Sequence, residues 1–63
     1  MYMNILAEMA RKNLTRKEVA KRLNLSEASF RKKIQGENEF KMSEVETLLS
    51  LFGEVTFEYL FAE

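Results

Sequence analysis

Three stretches of this chain open with the same device, a hydroxyl residue with a large apolar residue just before it and another four positions after it. Leu14-Thr15 is followed by Val19, Leu25-Ser26 by Phe30, and Val55-Thr56 by Leu60. A hydroxyl at that position accepts a hydrogen bond from an otherwise unpaired amide of a helix's first turn, and the flanking apolar pair staples the chain across the cap. Thr15-Arg16-Lys17-Glu18 adds the reciprocal half of a capping box, and Ser43-Glu44-Val45-Glu46 reads as a second box. Asn4 is placed to cap a first helix ahead of Ile5, Leu6 and Met9. The stops agree with the starts. Asn13 and Asn24 follow basic helical stretches and tolerate the left-handed backbone that ends a helix, and Gly36 and Gly53 adopt it without steric cost. The chain has no proline, and no window alternates apolar with polar residues as a half-buried strand would. These marks predict helices over 5–12, 16–23, 27–35, 44–52 and 57–62, an all-α, compact five-helix bundle. The loops leave no room for a linker, an internal repeat or a second domain, so residues 1–63 are expected to form a single domain.

Composition narrows the chemistry. With 63 residues, of which 46% are apolar, there is material for one small core. Cysteine and histidine are absent, and all ten acids are Glu. Disulfides, thiolate chemistry and the commonest metal ligand and general base are thereby excluded, and an enzyme is not expected. Glu37/Glu39 and Glu44/Glu46, at two-residue spacing, point to different faces, so no metal or other cofactor is expected. The apolar runs are too short to span a membrane, and a cytoplasmic protein with no small-molecule substrate is the expectation.

The net charge is zero, yet the charges are segregated. Residues 11–33 hold nine bases against Glu18 and Glu27, a balance of +7, whereas residues 34–63 hold Lys41 against seven Glu, a balance of −6. A localised basic face binds phosphate despite overall neutrality. A solvated surface with accidental segregation would look the same, and Arg16, Lys17, Lys21 and Arg22 could also meet an acidic membrane. The segregation gains meaning only where it coincides with a motif.

It coincides with Thr15–Gly36. The second predicted helix carries Val19, Ala20 and Leu23 on one stripe, with Ala20 small enough for a close crossing. Asn24–Ser26 then turns the chain into a helix anchored by Phe30 and Ile34. Two short helices joined by a tight turn make a helix-turn-helix. The face opposite Phe30 and Ile34 carries Ala28, Lys32 and Gln35, flanked by Ser29 and Arg31, which suits a helix entering the major groove.

Residues 13–36 resemble the helix-turn-helix of the phage repressor/Cro (XRE) family. Leu14-Thr15, Val19-Ala20, Leu23-Asn24-Leu25-Ser26 and Gln35-Gly36 match that family's pattern in order and spacing. The resemblance extends to Ile5–Lys12, Ser43–Gly53 and Val55–Phe61 as first, fourth and fifth helices, and no further ligand-binding domain is expected. It implies a lambda-repressor-like fold and a sequence-specific regulator of transcription that binds double-stranded DNA, probing bases with Glu27, Ala28, Ser29, Arg31 and Lys32. Lys32 or Arg31 would donate to guanine, Ala28 would touch a thymine methyl, and Glu27 would accept from cytosine or pair with Arg31. Thr15, Arg16, Ser26, Lys33 and Gln35 are the implied phosphate contacts, although Lys33 borders the buried face and can snorkel there.

Three departures stand out. Asn24 replaces the turn glycine, Lys33-Ile34 replaces a commoner apolar-acidic pair, and Glu37 and Glu39 stand where related repressors often carry bases. The last would weaken a single subunit's hold on DNA. The second half is rich in aromatic residues, most of them expected in the core. A domain of this length cannot bury Tyr2, Leu51, Tyr59 and Phe61 together, and a leftover apolar patch on the fourth or fifth helix would suit a homodimer. The alternative is a small protein-binding adaptor or anti-repressor that keeps the fold without strong DNA binding.

Overall fold

A computed structural model describes residues 1–63. It contains five helices and no strand: α1 (Met3–Arg11), α2 (Arg16–Arg22), α3 (Glu27–Gln35), α4 (Met42–Phe52) and α5 (Phe57–Leu60). Thr15, Ser26 and Thr56 cap α2, α3 and α5 as expected, each hydroxyl accepting an amide of the first turn at 3.1 Å. Three helices end in the same way. Asn13, Asn24 and Gly36 take positive φ, at 59°, 59° and 87°. In each case that residue's own amide and the following one fold back onto the last turn: Asn24 to Lys21 and Leu25 to Ala20, for instance, at 3.1 and 2.9 Å. This pairing satisfies carbonyls that would otherwise be orphaned.

Two starts differ from expectation. Asn4 lies inside α1, which begins at Met3 with no side-chain cap; its amide instead donates to the Tyr59 carbonyl at 2.7 Å. Helix α4 begins at Met42 rather than after Ser43, because Glu44, not Glu46, reaches back to accept the Lys41 amide at 2.8 Å. Ser43 sits in the first turn, where its carbonyl accepts the Thr47 hydroxyl. Helix α5 is a single turn that stops at Leu60, short of residue 62.

The core is built from Ile5 and Met9 of α1, Val19 and Ala20 of α2 with Leu23 beyond it, Phe30 and Ile34 of α3, Leu48 and Phe52 of α4, and Leu60 of α5. Every helix therefore contributes its apolar stripe to one interior. An aromatic row leads outward from it: Phe30 meets Phe40, Phe40 meets Phe61 and Tyr2, and Phe61 meets Phe57. Tyr2, Leu51 and Phe61 are half-buried, whereas Phe57 and Tyr59 remain exposed. No helix is long and apolar enough to cross a membrane.

Candidate nucleic-acid interface

Helix α3 is pinned by its inner side. Phe30 is fully buried and Ile34 nearly so, and Ala20 of α2, also buried, lets the two helices come close. The turn between them is closed by the Asn24 and Leu25 amides and opened into α3 by the Ser26 cap. With the inner stripe fixed, most of the remaining side chains face outward. Glu27, Ala28, Arg31, Lys32 and Gln35 are exposed, and Ser29 is half-buried. The molecule's ion pairs are Glu8 with Arg11 and Glu44 with Lys33, so Glu27 and Arg31 do not pair with each other and Lys32 is unpaired. One carboxylate, two cations, a carboxamide, a methyl and a hydroxyl thus share a surface, a mixture able to address donor, acceptor and methyl groups on base edges.

The start of α2 lies on the same motif. Thr15 and Glu18 form the expected box, the Thr15 amide donating to Glu18 at 2.8 Å and the Glu18 amide to Thr15 at 3.1 Å. The Thr15 amide, the Thr15 hydroxyl and, less strongly, the charge of Arg22 hold the Glu18 carboxyl below its ordinary value. Arg16 and Lys17 are exposed beside this cap. Their amides have no partner further back in the helix, as is general for a first turn. Exposed cations continue along the motif as Lys21 and Arg22 on α2.

Lys33 does not belong to this surface. It is buried, and its ammonium lies 2.7 and 2.9 Å from the two carboxylate oxygens of Glu44, which is buried as well. An ammonium held by both oxygens inside the protein is not available to phosphate, so the expectation of a phosphate contact at Lys33 is corrected. Burial alone would raise the Glu44 carboxyl, but the hydrogen bonds from Lys33 and the Lys41 amide, with the charges of both lysines, outweigh it and hold the group below its ordinary value. A signal for the pair exists in the sequence. At about 100° per residue, Lys33 lies some 60° from Phe30 and Glu44 some 40° from Leu48, so two opposite charges fall on the borders of two apolar stripes.

Past Gly36 the surface changes sign, since Glu37 and Glu39 are both exposed in the loop to α4. On the far side, α5 is strapped to α1 by the Asn4–Tyr59 bond and by the Tyr59 hydroxyl, which donates to Glu8 at 2.9 Å. That donation raises the phenol's pKa.

The model of the Cro/C1-type HTH DNA-binding domain family matches residues 4–54, from α1 to just beyond α4. The chain belongs to that family. It is therefore a DNA-binding helix-turn-helix domain, with α2 and α3 as the motif's two helices, and the matched stretch contains every residue described above for the outer face of α3 and the start of α2. Helix α5 lies outside the match. No curated protein and no solved structure matches the chain.

Proposed function

We propose that this Cro/C1-type domain is a cytoplasmic, non-enzymatic, sequence-specific regulator of transcription that acts as a homodimer on a two-fold-related site, in the manner of a phage or bacterial repressor. The observation that carries the proposal is the outer face of α3, where Glu27, Ala28, Arg31, Lys32 and Gln35 are exposed while Phe30 and Ile34 anchor the opposite side. In this reading α3 enters the major groove. Arg31 and Lys32 donate to guanine O6 and N7, Ala28 and Ser29 sit against base edges, and Glu27 accepts from a cytosine amino group. Thr15, Arg16, Ser26 and Gln35 contact phosphates on either side and set the helix's register without reading sequence. Control of transcription is steric, by occupancy of the site.

The dimer rests on a different surface. Phe57 and Tyr59 are exposed on α5, whose one buried residue is Leu60, next to half-buried Phe61, and an apolar patch of this kind is removed from water when two copies meet about a two-fold axis.

Selection from a random duplex pool at moderate salt, followed by sequencing, tests both parts. A two-fold-related motif is expected. An isolated half-site would retain DNA reading but reject the dimer. Failure to retain any duplex at low salt would replace the proposal with the protein-binding adaptor, for which the exposed Glu37 and Glu39 beside the motif would then be the relevant surface.

A further inference from the structure

The bonds that hold α3 against the remainder of the molecule gather at its C-terminal turn. The Ser26 cap at its start is local. The side-chain hydrogen bonds that join distant parts of the chain run from Asn4 to Tyr59, from Tyr59 to Glu8 and from Lys33 to Glu44, and only the last reaches α3. One backbone bond accompanies it, from the Tyr2 amide to the Ile34 carbonyl at 2.9 Å. Glu44 is itself held, because the Lys41 amide donates to the same oxygen that lies 2.7 Å from Lys33. Its carboxylate therefore cannot follow Lys33 if α3 rolls, and contact through both oxygens fixes direction as well as distance.

Roll matters for reading bases. A side-chain tip about 6 Å from a helix axis moves about 1 Å for a roll of about 10°, while a binding constellation tolerates only about 0.5 Å. Lys32, next to Lys33 in sequence, lies about 100° further round the same turn and is exposed. We propose that Glu44 is a positioning residue for DNA reading: through Lys33 it fixes the roll of α3, and so sets the discrimination between the preferred site and other DNA without touching DNA itself. The inference rests on the reading of α3 as the base-reading helix.

The test compares wild type with Glu44→Gln, which keeps an acceptor for the Lys41 amide but removes the charge that retains Lys33. The probes are the duplex selected above and a scrambled duplex of equal length. The variant's preference for the selected duplex should fall about tenfold, the worth of one good base contact. Its salt slope on scrambled duplex should steepen by about 0.9 as the freed ammonium reaches a phosphate. Lys33→Met should lose the same discrimination without the steeper slope. If Glu44→Gln does not fold, the combined Lys33→Met and Glu44→Leu replacement removes both charges and restores packing, and it too should discriminate less. A variant with wild-type circular dichroism and wild-type discrimination overturns the proposal.

Amide hydrogen exchange in the free protein separates this failure from failure of the DNA reading. Glu44→Gln should speed exchange at Ile34–Glu37 and leave Val19 and Leu23 unchanged. Should wild type bind neither duplex, the DNA reading is lost, and exchange that is unchanged, or faster throughout, still overturns the positioning role.

Discussion

Gly36 and Gly53 provide a test of how much of this fold is held by backbone conformation alone. Gly36 closes α3 at φ 87°, ψ 7°, and Gly53 closes α4 at φ 83°, ψ −110°. A β-carbon built at either position meets no atom within 4 Å, so replacement by alanine introduces no clash with neighbours and isolates the backbone cost. At Gly36 the backbone is left-handed helical, which an L-residue adopts at a cost of about 1–2 kcal/mol. At Gly53 the combination of positive φ and strongly negative ψ lies outside that basin, and the cost should reach about 3 kcal/mol. A domain of this size has roughly 3–9 kcal/mol of stability in total, so either change is a large fraction of it. The mirror-image residue should reverse the sign. D-alanine favours the mirrored dihedrals, and by restricting the unfolded chain it should stabilise the protein by about 0.4–1 kcal/mol at each position. The assay is urea unfolding of the wild type and of four synthetic chains carrying L- or D-alanine at position 36 or 53. With a slope near 1 kcal/mol per molar, the L-to-D difference at position 36 should move the midpoint by about 2 M. Equal midpoints for the two enantiomers at either glycine would refute the backbone argument, as would a smaller L-alanine penalty at Gly53 than at Gly36.

Three shorter predictions follow from other parts of the molecule. Thr15→Ala removes the hydroxyl that caps α2 and should cost about 1 kcal/mol, read as a fall of about 4–8 °C in Tm. The carboxyls of Glu18 and Glu44 are both held below their ordinary value of 4.5, so the stability they contribute is complete above that pH and is lost as pH falls through their lowered folded values. Urea midpoints should therefore decline in acid, less steeply in Glu44→Gln than in wild type. Lys32→Ala should relax sequence preference by about 1–3 kcal/mol at one base position, whereas Arg16→Ala should weaken all duplexes alike and reduce the salt slope by about 1; equal effects of both on every duplex would contradict the division between base and phosphate contacts.

What the sequence displayed best was local. The hydroxyl caps at Thr15, Ser26 and Thr56 and the left-handed stops at Asn13, Asn24 and Gly36 act within a few residues of themselves, so their signals survive without knowledge of the fold; Gly53 also ends its helix at positive φ, but its ψ of −110° takes it out of the expected left-handed basin. The same holds for the buried stripe of Phe30 and Ile34, and hence for the outer face of α3. The misplaced starts share another cause. Asn4 was drawn from a capping role by the Tyr59 carbonyl, 55 residues away, and the start of α4 was set by Glu44, whose carboxylate serves Lys41 locally and Lys33 across the interface at once. Lys33 was misread for the same reason. A lysine on the border of an apolar stripe looks like a cation that snorkels to solvent unless its buried counter-charge is known. Local rules fail where a long-range polar partner competes with the local one.

The charge pattern changes meaning once these partners are known. The sequence counts +7 between residues 11 and 33, but the ion pairs with Glu8 and Glu44 occupy Arg11 and Lys33. The exposed cations of α2 and α3 are Arg16, Lys17, Lys21, Arg22, Arg31 and Lys32, and those devoted to bases or turned from the duplex release no phosphate counterions. If about half of the six meet phosphate, one copy of the chain has a salt slope of about −2.7 and loses about 40-fold in affinity between about 50 and 200 mM salt. Two copies on one site have about twice the slope and lose about 2,000-fold over the same range. Glu37 and Glu39 depress the single-copy affinity without altering this ratio, because they add a repulsion common to both cases. The slope on a selected duplex thus counts subunits. With half of the six on phosphate, a value near −5 corresponds to a pair of domains on the DNA, and a value near −3 on a full two-fold site would mean that one copy binds alone and that the exposed face of α5 has another use.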